Sequence, residues 1–96
     1  MPGRALDRDA AEALAKTLRT VADPTRLQLL SMIYGSEGQE ITVGELADHL
    51  GLRQPTISHH LKVMVEDGLL QREPRGRQVW YSIVPHRQAA IVDLLR

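Results

Sequence analysis

The chain has 96 residues, 43% of them hydrophobic and 25% charged, with seven Gly, five Pro and no Cys. A chain of this length forms one domain and buries only about two-thirds of its unfolded surface, so a second subunit would add useful burial. The lack of Cys excludes disulfides, thiolate metal sites and thiol redox sensing.

The formal net charge of zero conceals a split: residues 1–52 carry five Lys/Arg against eight Asp/Glu, and residues 53–96 carry seven against four. Nucleic-acid binding depends on the local face rather than the total. No apolar run approaches the roughly 18 residues of a membrane span, and no signal-peptide pattern follows Met1-Pro2-Gly3-Arg4, so a cytoplasmic protein is expected.

Over residues 5–22, Leu14, Leu18 and Val21 recur at helical spacing with Ala11 and Ala15 beside them, which predicts an amphipathic helix. Asp23 and Pro24 end it and start another, with Asp23 as N-cap and Pro24 in the first turn. Leu27, Leu30, Ile33 and Tyr34 are the expected inner face of this second helix, which stops near Gly35. After a Gly-rich loop, Ile41 and Thr42 read as briefly extended. Residues 43–50 predict a short third helix with Leu46, Ala47 and Leu50 inward. Gly51 suits a left-handed position, Leu52 is expected to plug the turn, and a fourth helix starts at Gln54-Pro55 and reaches about Asp67. Two short helices joined by a tight Gly-containing turn form a helix-turn-helix.

Gly68 closes the fourth helix. Residues 70–73 and 78–84 read as strands around Pro74-Arg75-Gly76-Arg77, with Val79, Tyr81 and Ile83 alternating against Gln78, Trp80 and Ser82. A last helix from about His86 carries Ala90, Ile91, Leu94 and Leu95. The order α-α-α-α-β-β-α predicts a mainly α fold with a small β-hairpin. It is a single winged helix-turn-helix domain over residues 1–96, with the helix-turn-helix at 43–67 and the wing at 70–84.

On a helical wheel Ile57, Leu61, Met64 and Val65 share the core arc of the fourth helix. His59 falls almost opposite that arc and His60 on its shoulder, so the two neighbours diverge and cannot chelate one metal ion unaided. Gln54, Thr56, Ser58, His59 and Lys62 are the side chains able to reach base edges or phosphates if this helix enters a major groove. Gln pairs with adenine, Ser and Thr with several acceptors, and Lys with guanine or phosphate. Plain solvent exposure is the competing reading of His59, and its place in the second helix of the motif favours DNA contact. His60 is expected to be partly buried and hydrogen-bonded locally. Arg53 before the helix and Arg72, Arg75 and Arg77 in or beside the wing suit phosphate contact, although Glu73 tempers the cluster and a solvated turn is the alternative.

No His-Glu-x-x-His, Gly-x-Ser-x-Gly, phosphate-binding Gly loop or Cys nucleophile occurs, so no enzymatic activity is expected. The rival function is a winged helix used for protein contact without DNA. It predicts an apolar or acidic recognition face, whereas the face here is Gln, Thr, Ser, His and Lys with an Arg-bearing wing, and only Val63 and Glu66 go against that.

"VADPTRLQLL" (21–30), "ITVGELADHLGLRQPTISHHLKVMVEDGLL" (41–70) and "GRQVWYSIVP" (76–85) resemble the ArsR/SmtB family of bacterial winged-helix transcriptional repressors. The resemblance implies a homodimer formed through the first and last helices, here residues 5–22 and 86–96. It also implies binding to an imperfect inverted repeat at the protein's own promoter, with release when an inducer binds. Leu14, Leu18, Ile91, Leu94 and Leu95 are the expected interface positions, and packing of the last helix on its own core is the alternative. A two-fold dimer would place its half-sites about one helical turn, roughly 34 Å, apart.

The chain departs from the family's metal sites. Thr42 and Gly44 stand where arsenic- and cadmium-sensing members place two Cys. Pro85 and Arg87 stand where zinc-sensing members place the first Asp and His of the last helix. Asp48 with His49, or His86 with Asp93 across a dimer, are the remaining candidate oxygen and nitrogen ligands for zinc, nickel or cobalt. No cofactor is expected, and an organic inducer or none is favoured over a metal.

Overall fold

The computed structural model describes residues 5–95, without the side chain of Leu94. The side chain expected at the interface at Leu94, and Arg96, expected as the last residue of a terminal helix over 86–96, therefore lie outside what is described.

Helix α1 (Arg8–Val21) starts three residues later than its apolar pattern suggested, because the Asp7 carboxylate caps it by accepting from the Ala10 N–H at 2.8 Å. Helix α2 (Pro24–Gly35) begins as expected, with the Asp23 carboxylate accepting from the Arg26 N–H at 3.0 Å. A short 3-10 turn, Glu37–Gln39, leads into strand β1 (Glu40–Thr42). Thr42 then caps helix α3 (Val43–Leu50), accepting from the Glu45 N–H at 3.3 Å. Gly51 ends α3 at φ 65°, and its N–H returns to the Ala47 carbonyl at 2.9 Å. That left-handed backbone is what makes the turn into helix α4 (Gln54–Glu66) so short.

Strands β2 (Leu70–Arg75) and β3 (Gln78–Ile83) form the wing, and helix α5 (Pro85–Leu95) closes the chain. The loop expected over residues 74–77 is a two-residue turn of Gly76 and Arg77, with Gly76 at φ 60°. A positive first angle is what a tight hairpin turn of this kind asks of Gly. Pro74 is tolerated because β2 lies at the sheet edge. β1 joins the hairpin to give an antiparallel sheet in the order β1-β3-β2, with Ile41 opposite Tyr81 and Thr42 opposite Trp80.

The core collects Leu29, Leu30 and Ile33 from α2, Leu46 from α3, and Ile57, Leu61 and Met64 from α4. Leu69, Leu70 and Ile91 complete it, all with 2% exposure or less. Each such side chain contributes about 1.5–3 kcal/mol of transfer free energy. Val79, Tyr81 and Ile83 turn inward as the strand alternation predicts.

Three expectations are corrected. Leu27 is 37% exposed, because the α2 face that packs is set by Leu29, Leu30 and Ile33. Leu52 is also 37% exposed and does not plug the turn, whose closure comes from the Gly51 backbone. Ile91 is only 1% exposed within a single chain, so it belongs to the chain's own core and not to a surface that a partner covers. Leu14 and Leu18 do face outward, because α1 packs through Thr17, Thr20 and Val21.

Candidate nucleic-acid interface

Helix α4 is held from behind by Ile57, Leu61 and Met64, each fully buried. This fixes which side chains it presents. Gln54, Thr56, Ser58, His59 and Lys62 are all exposed. They form a polar surface that carries one permanent charge, on Lys62. Arg53 is exposed at the N-cap position, where its side chain makes no capping bond.

The two adjacent histidines separate as the wheel predicts. His59 is exposed, whereas His60 is half-buried and its Nδ1 accepts from Arg26 Nε of α2 at 3.2 Å. Arg26 also donates to the Thr20 carbonyl at 3.3 Å, so His60 links α4 to α2 and to the end of α1. Asp23, beside this group, is held below the ordinary carboxylate value. The Arg26 backbone N–H is the main cause, opposed by partial burial and helped by the positive charge of Arg26.

The far end of α4 is anchored by a network that the sequence did not signal. Asp67, its C-cap, accepts a hydrogen bond from Thr20 Oγ1 and lies 3.7 Å from Lys16 Nζ. Arg87 of α5 donates to Thr17 Oγ1 at 3.1 Å and to the Asp67 carbonyl at 3.4 Å. These partners are 20 to 70 residues apart in sequence, so no local pattern could reveal them.

On the wing, Arg72 and Arg77 are exposed and form no ion pair among the described residues. Arg75 differs from them. Its Nη atoms donate to both Glu40 carboxylate oxygens at 3.0 and 2.7 Å, and its Nε donates to Glu73. Its guanidinium carbon also sits 5.3 Å from the centre of the Trp80 ring. Hydrogen bonding to Glu40 and Glu73 raises the Arg75 pKa, and the Arg75 guanidinium holds Glu40 below the ordinary carboxylate value.

The candidate metal ligands are dispersed. Asp48, His49, His86 and Asp93 are all exposed, and His49 Nδ1–H donates to the Glu45 carbonyl at 2.8 Å. Among the described residues no three His, Asp or Glu side chains converge in a way that could hold a metal ion. No helix among them is long and apolar enough to cross a membrane.

A family model described as bacterial regulatory protein, arsR family, matches residues 23–72, from the N-cap of α2 into the wing. The HTH-type transcriptional regulator NmtR of Mycobacterium tuberculosis is 33% identical over 92 residues, 96% of this chain and 74% of that protein. Among solved structures, the transcriptional repressor BigR of Xylella fastidiosa superposes with a TM-score of 0.76 at 31% identity, covering 91% of this chain and 86% of that one. A homodimeric winged helix-turn-helix DNA-binding domain from Mycobacterium bovis superposes with a TM-score of 0.77 at 25% identity, covering 98% and 86%.

Proposed function

The chain belongs to the arsR family of bacterial regulatory proteins, and from that premise we propose that it is a dimeric repressor. In this reading it works in the cytoplasm, binds an imperfect inverted repeat at its own promoter and leaves it when an inducer binds. It is a DNA-binding transcriptional regulator and not an enzyme. One observation carries the assignment of the surface: α4, inside the region the family model matches, turns a mainly polar face outward from a fully buried back.

Gln54, Thr56, Ser58, His59 and Lys62 read bases and position the helix, while Arg53, Arg72 and Arg77 meet phosphates. The homodimeric relative supports a second copy, and in this reading that copy packs through the outward Leu14 and Leu18 of α1 together with α5. The two recognition helices then address half-sites roughly 34 Å apart. Nothing in the comparisons favours the rival reading as a protein-contact module, and the polar, cation-flanked face speaks against it. A small organic inducer, or none, is favoured over a metal held by Asp48 with His49 or by His86 with Asp93 across the dimer. Thr42 and Gly44 replace the family's usual cysteines. No resident cofactor takes part.

Thr56→Ala and His59→Ala test the reader role by titration of labelled specific and random duplexes. Each is expected to weaken specific binding by about 1–3 kcal/mol while leaving random binding nearly unchanged. Equal losses on both duplexes would remove these residues from base reading.

A further inference from the structure

The wing presents three arginines, and their surroundings divide them. Residues 71, 73 and 75 of β2 alternate onto one face of the sheet, shared with Trp80 and Ser82 of β3 and Glu40 of β1. Arg75, at the tip end of β2, reaches diagonally over this face. Its fork meets both oxygens of Glu40 on the opposite edge strand, its Nε meets Glu73 on its own strand, and the plane between covers Trp80. Two carboxylates therefore neutralise one guanidinium, and three of its nitrogens already donate. Arg72, one position off this alternation, and Arg77, in the turn, are exposed and carry no such partners among the described residues.

Resting on the DNA-binding reading above, we propose that Arg75 is a positioning residue that braces the wing against β1, leaving phosphate contact to Arg72 and Arg77. A two-stranded hairpin is flexible on its own, and the β1–β3 pairing ends at Thr42 opposite Trp80, short of the tip. The bidentate Arg–carboxylate geometry gives the tip one preferred orientation, because a planar fork fixes direction as well as distance. The stacked ring adds a cation–π contact on the same line. The wing thus arrives at the duplex already set, and the cost of ordering it falls on folding and not on binding.

The test uses Arg75→Lys, Arg75→Gln, Arg77→Gln and Glu40→Gln in the full chain, with two readouts. Trp80 is the chain's only tryptophan, so its fluorescence reports the brace without DNA. Arg75→Lys and Glu40→Gln are expected to raise acrylamide quenching and shift the emission, whereas Arg77→Gln leaves both unchanged. In DNA titrations across salt concentrations, Arg75→Lys and Arg75→Gln should weaken binding about two- to fivefold per wing, the scale of one exposed pair, with the salt slope preserved. Arg77→Gln should flatten the slope by about 1.8 for two copies. Lys can replace Arg as a point charge at a phosphate but cannot form the fork. Wild-type affinity in Arg75→Lys together with a flattened slope in Arg75→Gln would make Arg75 a phosphate contact and overturn the proposal. Quenching unchanged in Arg75→Lys and Glu40→Gln would overturn it as well. If the wild-type chain shows no salt-sensitive binding, the DNA reading itself fails, and the quenching arm still decides the brace.

Discussion

Asp67→Ala probes how the recognition helix is fixed at its far end. An acid at a helix C-terminus opposes the helix dipole, so removing it should help by about 0.3–1 kcal/mol. Against this, the carboxylate accepts from Thr20, whose side chain lies in α1 at 5% residue exposure, and a hydrogen bond to a charged group is worth about 1.5–3 kcal/mol. The Lys16 partner, 57% exposed at 3.7 Å, adds little. The net expectation for Asp67→Ala is a loss of about 1–2 kcal/mol, which lowers the melting temperature by about 4–8 °C per kcal/mol in a domain of this size. Urea unfolding followed by circular dichroism at one fixed protein concentration measures it, because dimer dissociation would otherwise enter the midpoint. Thr20→Val completes a double-mutant cycle. Its coupling with Asp67→Ala should exceed about 0.5 kcal/mol, since the two groups share one partly buried bond. Additive single effects, or an Asp67→Ala variant as stable as the wild type, would refute the anchor.

Leu61→Ala removes a fully buried side chain from the back of α4 and should cost about 2–5 kcal/mol in urea unfolding; a loss under about 1 kcal/mol would mean that the helix does not seat as described. Asp23, held below its ordinary value of 3.8 mainly by the Arg26 N–H, stabilises α2. A depressed folded-state value means that this contribution is complete above the ordinary value and is lost as pH falls through the lower, folded one. Asp23→Asn, an equally good cap, should therefore match the wild type near pH 7 and lose less stability on acidification, whereas Asp23→Ala should cost about 1 kcal/mol at neutral pH. Urea midpoints at neutral and acid pH would check both.

Helix limits were legible where a cap residue was read beside the apolar pattern, whereas the Asp7 cap that starts α1 was missed. Asp23-Pro24 and Gly51 each specify a local backbone state, and the start of α2 and the end of α3 fall there. The outward polar side of α4 was legible for a related reason, since Ile57, Leu61 and Met64 recur at helical spacing and leave the polar residues only one direction. The errors arose where tertiary packing chooses between near-equivalent local options. Leu27 and Leu29 both lie on apolar stretches of α2, and only the position of the sheet and α4 decides which is buried. Ile91 looked like an interface residue because its helix is apolar, yet one chain's own core takes it. The pairing of β1 with β3, the Asp67 anchor and the Arg75 brace join residues distant in sequence, and no periodicity encodes such contacts.

The most direct test is fluorescence anisotropy of a labelled duplex from the region upstream of the chain's own gene, titrated with wild-type protein from low to physiological salt beside a random duplex. Each phosphate contact adds about −0.9 to the log–log slope, so Arg53, Lys62, Arg72 and Arg77 in two copies would give about −7 if all engage. The account predicts tight binding to the upstream duplex, a steep slope approaching that value, and clearly weaker binding to the random duplex. Weak binding to both duplexes with a slope near zero would contradict it.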